Sequence, residues 1–473
     1  MFTNHRIAGD RPALFDSERE RWLDYRALRL LVAERAAELG AASKKLAFGF
    51  LPNSADAIID MLALLEAGHV VALLDPSLPA SMCASLLRSY EPDFVSGADC
   101  PAVETAMRLP NARKSTRSGG LHLIRLDQAG RTDIHPELSL MLSTSGSTGS
   151  PKFVRLSRRN ISSNAAAIAQ VLEIGGTDRV LAHLPLHYSF GFSVISSHLS
   201  SGASVVPTSE SLASGALWKL FREHHCTALP GVPSHFDILK RLDIDRLKVP
   251  TLVCLMQAGG RMRPEMIQDF AAKISARSGR LYVMYGQTEA SPRITTLPAQ
   301  EVLSSLGSVG PALPGGRLEI RDERGGLLPS GTIGQVVYFG PNVMMGYATS
   351  RADLAHGYQL KDGLHTGDLG YLDDRGYLTL SGRANRFAKV HGIRVSLDDV
   401  ERMLSGYGPS AAVEAGENKV VVVVLQAKDT KVIHAELVER LRLPQSAISV
   451  RAADVLPIKA NGKIDYAKIR AIP

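Results

Sequence analysis

Apolar residues recur in two rhythms over roughly the first three hundred positions. A helical spacing runs from Tyr25 to Leu39, from Ala55 to Ala67 and from Ser157 to Leu172. Between such stretches stand short strand-like runs from Leu138 to Leu142, Val180 to Leu184, Ala203 to Val206, Leu252 to Met256 and Leu281 to Tyr285. This alternation predicts α/β layers around mostly parallel sheets. From about Gly307 to Gly382 the texture changes to glycine- and proline-punctuated strands (Arg317 to Arg321, Gln335 to Phe339, Tyr377 to Ser381), which predicts a small β-rich subdomain. The final segment, about ninety residues, reads as a separate unit, with helices from Leu397 to Leu404 and from Lys431 to Leu441 and a strand near Ile448. Its five consecutive valines, Val420 to Val424, predict a strand buried on both faces. No internal repeat is evident.

Size and composition bound the picture further. A chain of 473 residues is long for one domain, and 45% hydrophobic with 21% charged residues describes a globular, enzyme-sized protein with large cores. The 54 basic against 47 acidic residues are scattered, not massed, so nucleic-acid binding is not expected and the excess reads as solvated surface. Cys83, Cys100, Cys226 and Cys254 form no CxxC pair, which argues against a zinc site or a disulfide framework. The N-terminus lacks an apolar leader core, and the most hydrophobic stretch, Met61 to Leu74, is broken by Glu66, Gly68 and His69. The expectation is a cytoplasmic protein with no membrane span.

Chemistry enters with Thr144, Ser145, Gly146, Ser147, Thr148, Gly149, Ser150, Pro151 and Lys152, which directly follow the strand-like run ending at Leu142. Glycines let backbone N–H groups approach phosphate oxygens, hydroxyls add donors, and Lys152 adds a point charge. The loop departs from the P-loop of kinases and GTPases, because Pro151 and Phe153 flank the lysine where a glycine and a hydroxyl residue are needed. Composition alone fits a flexible linker equally well. The strand before it and the helical stretch after it favour a phosphate cradle.

Four further segments carry polar groups that composition does not demand. They are YGQTEAS (Tyr285 to Ser291), HTGDLGYLDDRGYLTLSGR (His365 to Arg383), KVHGIR (Lys389 to Arg394) and LPIKANGKID (Leu456 to Asp465). The first follows a strand-like run and so belongs at a strand's carboxyl end, where open α/β sheets bind ligands. In this order, and over nearly the whole chain, the five segments resemble the adenylate-forming superfamily of acyl-CoA synthetases, peptide-synthetase adenylation domains and luciferases.

The resemblance implies an N-terminal adenylate-forming domain over residues 1–384 and a small, mobile α+β C-terminal lid over residues 385–473, with Asn385 at the hinge. It implies ATP-dependent conversion of a carboxylic acid to an acyl-adenylate, then transfer to the thiol of coenzyme A. The alternatives are loading of the phosphopantetheine of an acyl carrier protein, or a catalytically silent nucleotide-binding relative. Thr144 to Gly149 with Lys152 would cradle the phosphates, and Glu289 with Thr148 would hold Mg2+, a hard ion that takes oxygen ligands. Tyr285 would stack on adenine, with Gly286, Gln287 and Thr288 beside it and Gly259 in the backbone that lines the base. Asp368 would accept the ribose hydroxyls, with Arg383 nearby, and Gly392 would border the pantetheine tunnel. Lys463 would bridge carboxylate and α-phosphate, stabilising the charge that develops as two anions meet. Each of these residues taken singly also has a bland reading: Asp368 as a turn carboxylate, Glu289 and Lys463 as surface charges.

Three positions depart from the family pattern. Phe153 replaces a common glycine, Gln335 stands where many members carry glutamate, and Asn385 is uncharged. For the acid itself, His187, Tyr188 and Gly191 are expected in the pocket. Ser193, Ser196, Ser197 and His198 follow closely, either adding polarity to the pocket or capping a helix or facing solvent. No aspartate stands where amino-acid-activating members hold the substrate's amino group, so an α-amino acid is not expected, while fatty, aryl and hydroxylated acids all fit.

Overall fold

A computed structural model of the chain describes residues 7–40, 43–116, 119–126, 133–143, 152–383, 386–391, 393–416, 418–427, 429–459 and 463–470. Two eight-stranded sheets organise the first three hundred residues. One runs parallel through Leu138–Ser143, Val70–Leu73, Leu46–Phe50 and Phe94–Gly97, with antiparallel strands at both edges. The other runs parallel from Arg280–Gly286 through Cys254–Gln257, Ala228–Gly231, Arg179–Ala182 and Ser204–Pro207 to Pro12–Asp16. This is the mostly parallel α/β arrangement that the alternating pattern predicts.

Four helices pack between the sheets, where their apolar faces are buried. Leu28 of Tyr25–Leu39, Ile58 and Leu62 of Ala55–Glu66, Ile161 of Arg158–Val171 and Ile195 of Ser189–Ser200 share one buried cluster with Val71, Leu140, Val180 and Val205 of the two sheets. Caps set the helix starts. Asp24 accepts the Ala27 N–H at 2.7 Å, and Ser157 forms a capping box with Asn160. Ser157 therefore ends a strand (Phe153–Ser157) and opens a helix in one residue, which fixes where the lysine-bearing loop re-enters the sheet.

The β-rich stretch forms a five-stranded antiparallel sheet in the order Ser308–Gly310, Leu378–Arg383, Leu364–Leu372, Gly334–Phe339 and Arg317–Arg321. Gln335 lies in it, paired in register with Leu369 and Arg321. After residue 386 come a two-stranded ribbon, Phe387–Val390 with Ile393–Ser396, and a three-stranded sheet, Ser410–Glu414, Val420–Leu425 and Ile448–Ala453. The valine strand is buried on both faces, as its composition predicts. Val420, Val422 and Val424 join a cluster with Ala388, Val395, Ile433 and Leu437, and Val421 and Val423 join another with Leu456 and Ile469. No helix of the described residues is long and apolar enough to cross a membrane.

Candidate active site

The strand Arg280–Gly286 delivers Tyr285 to the carboxyl edge of its sheet, and a short turn of helix, Thr288–Ala290, follows with Glu289. Tyr285 is 8% exposed and its phenol donates to Asp368 Oδ2 at 2.5 Å, while Arg383 Nε donates to Asp368 Oδ1 at 2.9 Å. Asp368 and Arg383 are register partners on adjacent strands of the five-stranded sheet, so the pair is set by β-pairing and not by loop conformation. Burial, with Asp368 second, pushes the Tyr285 phenol well above the usual tyrosine range, which keeps it protonated and donating.

A second string of contacts reaches the lysine that closes the glycine-rich loop. The Lys152 ammonium lies 3.2 Å from the centroid of the Tyr347 ring, and the Tyr347 hydroxyl donates to Glu289 Oε1 at 2.9 Å. Burial, then Glu289, raises the Tyr347 phenol. Thr288 Oγ1 is 3.2 Å from Ser189 Oγ, tying this turn to the start of the helix Ser189–Ser200.

Lys463 arrives from the far end of the chain. Lys459 N donates to Lys463 O at 2.8 Å and Ile458 bridges Ile464 in antiparallel fashion, so the stretch ending at Lys459 is paired with the stretch starting at Lys463. Its ammonium is 5.8 Å from the Tyr188 ring centroid, and it lies within electrostatic reach of Arg383, Asp368 and Glu289. Burial and then Arg383 lower its pKa below the ordinary lysine range, against the opposing pull of Asp368 and Glu289. Gly259 completes this corner. It holds φ +83°, and a Cβ there would lie 2.5 Å from the Tyr188 hydroxyl, so any other residue would be strained.

Thus Lys152, Tyr188, Gly259, Tyr285, Glu289, Asp368, Arg383 and Lys463, scattered along the sequence, are linked by the contacts above. Thr144, Ser145, Gly146, Ser147, Thr148, Gly149, Asn385 and Gly392 lie outside the described residues. Glycine at 286 permits the turn, since a Cβ would fall 2.0 Å from the Pro292 carbonyl oxygen. At Gly191 a Cβ would meet the Pro185 carbonyl oxygen at 2.3 Å, so its small size lets the helix start pack on the preceding loop. His187 Nε2 lies 3.8 Å from Asp75 Oδ2, and burial lowers its pKa.

Ser193, Ser196 and Ser197 are buried and donate to the carbonyls of Phe190, Ser193 and Val194 within their own helix, and His198 Nδ1 is 2.8 Å from Val194 O. They neither cap the helix nor face solvent. Phe153 points into the core, fully buried against Phe48 and Tyr90 with ring centroids 6.3 and 5.1 Å away. Sequence patterning did not flag Tyr347, Arg293, Asn164 or Asn342. The available signal for Arg293 was a cation opening an otherwise uncharged strand, Arg293–Leu297, four residues after Glu289.

After residues 384–385, Arg386 pairs with Asp398 Oδ1 at 2.6 Å and Glu401 Oε1 at 2.8 Å, and its guanidinium stacks 4.1 Å from the Tyr466 ring. Tyr466 is three residues beyond Lys463. Asp398 Oδ2 also accepts the Arg383 backbone N–H at 2.9 Å.

A family model described as AMP-binding enzyme matches residues 3–348. The chain belongs to the AMP-binding enzyme family. Over 98% of its length this family member is 25% identical to surfactin synthase subunit 1 of Bacillus subtilis, covering 14% of that protein. Over 70% of its length it is 30% identical to sulfoacetate–CoA ligase of Cupriavidus necator, covering 66% of it. The chain thus spans less than two thirds of either relative. Its fold is that of o-succinylbenzoate CoA synthetase of Bacillus subtilis in complex with an acyl-adenylate intermediate, with TM-score 0.77 at 21% identity, covering 97% of this chain and 95% of that one. The mixed α/β architecture of this AMP-binding enzyme is therefore shared along nearly its whole length.

Proposed function

We propose that the chain is an ATP-dependent acid–thiol ligase. The carboxylate of a small acid attacks the α-phosphorus of ATP, expelling pyrophosphate and forming an acyl-adenylate; a thiol then displaces AMP and leaves a thioester. The observation that carries this reading is the convergence of Lys463 with Glu289, Asp368 and Arg383 around Tyr188 and Gly259. Two anions must meet for adenylation, and a cation held between them in a partly desolvated site offsets their repulsion where it is greatest. Asp368 accepts the ribose hydroxyls. Each carboxylate oxygen has more than one acceptor direction, so Tyr285 and Arg383 orient the group while lone pairs remain for the sugar.

Lys152, with the loop before it, takes the phosphates. Glu289, with Thr148 from the loop, would hold Mg2+, a hard ion that takes oxygen ligands. When bound, it neutralises phosphate charge. Residues 385–473 act as the lid, hinged at Asn385. Tyr188 borders the acid, its hydroxyl packed on Gly259.

Coenzyme A as the acceptor is supported by the 30% identity to a CoA ligase. A second reading, a thiol carried on a protein, is favoured by the match of almost the whole chain to one seventh of a much longer synthase subunit. The test is acid-dependent pyrophosphate release, with hydroxylamine trapping of the adenylate across fatty, aryl, hydroxy and amino acids. Mass spectrometry of products formed with coenzyme A or carrier proteins, supplied separately, then identifies the acceptor. Nucleotide binding without pyrophosphate release from any acid would leave a catalytically silent relative as the answer.

A further inference from the structure

Arg293 is 2% exposed, and among the described residues no carboxylate pairs with it. Its guanidinium donates to the Met284 thioether, a weak acceptor, and lies 5.0 Å from the Phe190 ring centroid. A buried guanidinium has five donors and a large desolvation cost, which one sulfur and one aromatic face do not offset. Burial lowers its pKa to about 10, so it remains a cation at neutral pH.

The place of this cation matters as much as its lack of an acidic partner. Phe190 is 6.2 Å from Tyr188 between ring centroids, and Tyr188 is the ring that faces the Lys463 ammonium. Lys463, Tyr188, Phe190 and Arg293 are thus linked neighbour to neighbour, with the lysine and the arginine as the two cations at the ends of the chain of contacts. The base of the arginine is also pinned. Asn164 donates to the Arg293 carbonyl at 3.0 Å and accepts its N–H at 3.3 Å, while Asn342 donates to the same carbonyl at 2.8 Å and to the Ala290 carbonyl at 2.6 Å. Two buried amides fixing one backbone unit are the support expected where a charged side chain must be held in one position.

We infer that Arg293 is a specificity-determining residue that binds a second anionic oxygen group, a carboxylate or its equivalent, at the end of the acid remote from the reacting carboxylate. This rests on the adenylation reading and narrows its substrate from acids in general to acids that are dianionic. The planar guanidinium pairs such a group through two parallel N–H donors. A site built around such a donor set rejects an analogue lacking the acceptor, because the buried donors are then left unpaired.

The experiment compares pyrophosphate release with succinate, adipate and terephthalate, each against the partner acid in which a methyl group replaces the second carboxylate. The wild-type chain is expected to favour at least one dianion by about 100-fold or more in kcat/KM. In Arg293→Met the ratio for that pair should collapse to within about tenfold of unity. Both acids are measured on one preparation, so partial misfolding cancels in the ratio. Release from the methyl partners alone, or a ratio unchanged in Arg293→Met, overturns the assignment and leaves the adenylation reading standing. Release with no acid of either kind, here and across the wider acid panel, overturns both.

Discussion

Burial and the neighbouring Arg383 hold Lys463 below the ordinary lysine range, and the proposed role needs the protonated form. A group required as its acid is lost as pH rises through its pKa, so a lowered pKa brings the alkaline decline in adenylation to lower pH. The kcat/KM for pyrophosphate release should therefore fall on an alkaline limb below that of a solvent-exposed lysine, and Lys463→Arg should shift the limb upward. Lys463→Ala should cost on the order of 3 kcal/mol in the adenylation barrier, about a hundredfold, while a supplied acyl-adenylate is still turned over. Equal loss of both half-reactions would count against the assignment. Gly259→Ala places a methyl against the Tyr188 hydroxyl on a backbone at positive φ; about 1–2 kcal/mol of strain and a raised KM for the acid are expected, measurable by denaturant unfolding and steady-state kinetics. At this scale the sequence was readable where residues stood inside segments with recognisable neighbours, as Asp368 and Lys463 do. Tyr347 has no such neighbours, and Arg293 stands two residues past the segment that ends at Ser291. Their meaning lies in contacts with Lys152, Glu289 and Phe190 that only the fold creates.

Among the elements, Phe153 shows how a departure in a motif is resolved by the strand that carries it. Period-two alternation places Phe153 on the face of Phe153–Ser157 opposite Val154 and Leu156, against Phe48 and Tyr90, so the bulky residue fills core space. Phe153→Ala should cost about 3–5 kcal/mol by chemical denaturation, and a loss under 1 kcal/mol would mean that the ring is not packed as described. Strong periodicity made the helix from Tyr25 to Leu39 and the strand from Arg317 to Arg321 legible at both ends. The strands Pro12–Asp16 and Arg21–Asp24 were not, because four or five residues among charged neighbours carry too short a pattern and are held by pairing with Ser204–Pro207 and with each other. The serines after Tyr188 show the same dependence on the fold. Their hydroxyls satisfy carbonyls of their own helix, an outcome that composition does not distinguish from a polar pocket.

For the molecule as a whole, the long-range connection between Arg386 and Tyr466 joins a residue beside the proposed hinge to one three positions beyond Lys463. Tyr466 Oη accepts from Arg386 Nη1 at 2.9 Å, and it donates to Glu401 Oε2 at 3.3 Å. Tyr466→Ala should lower pyrophosphate release several-fold without altering any group in contact with ATP or acid, while thioester formation from a supplied adenylate is retained; circular dichroism would check that the C-terminal sheet persists. An unchanged adenylation rate would show that Lys463 is placed without this connection. The valine strand gives this connection its stiffness, since each of its faces is fastened to a separate cluster, one reaching Ala388 beside Arg386 and the other reaching Leu456 and Ile469 on either side of Lys463. If residues 385–473 turn at the proposed hinge, both clusters turn together, and the angle of that turn would decide when the Lys463 cation meets the phosphate.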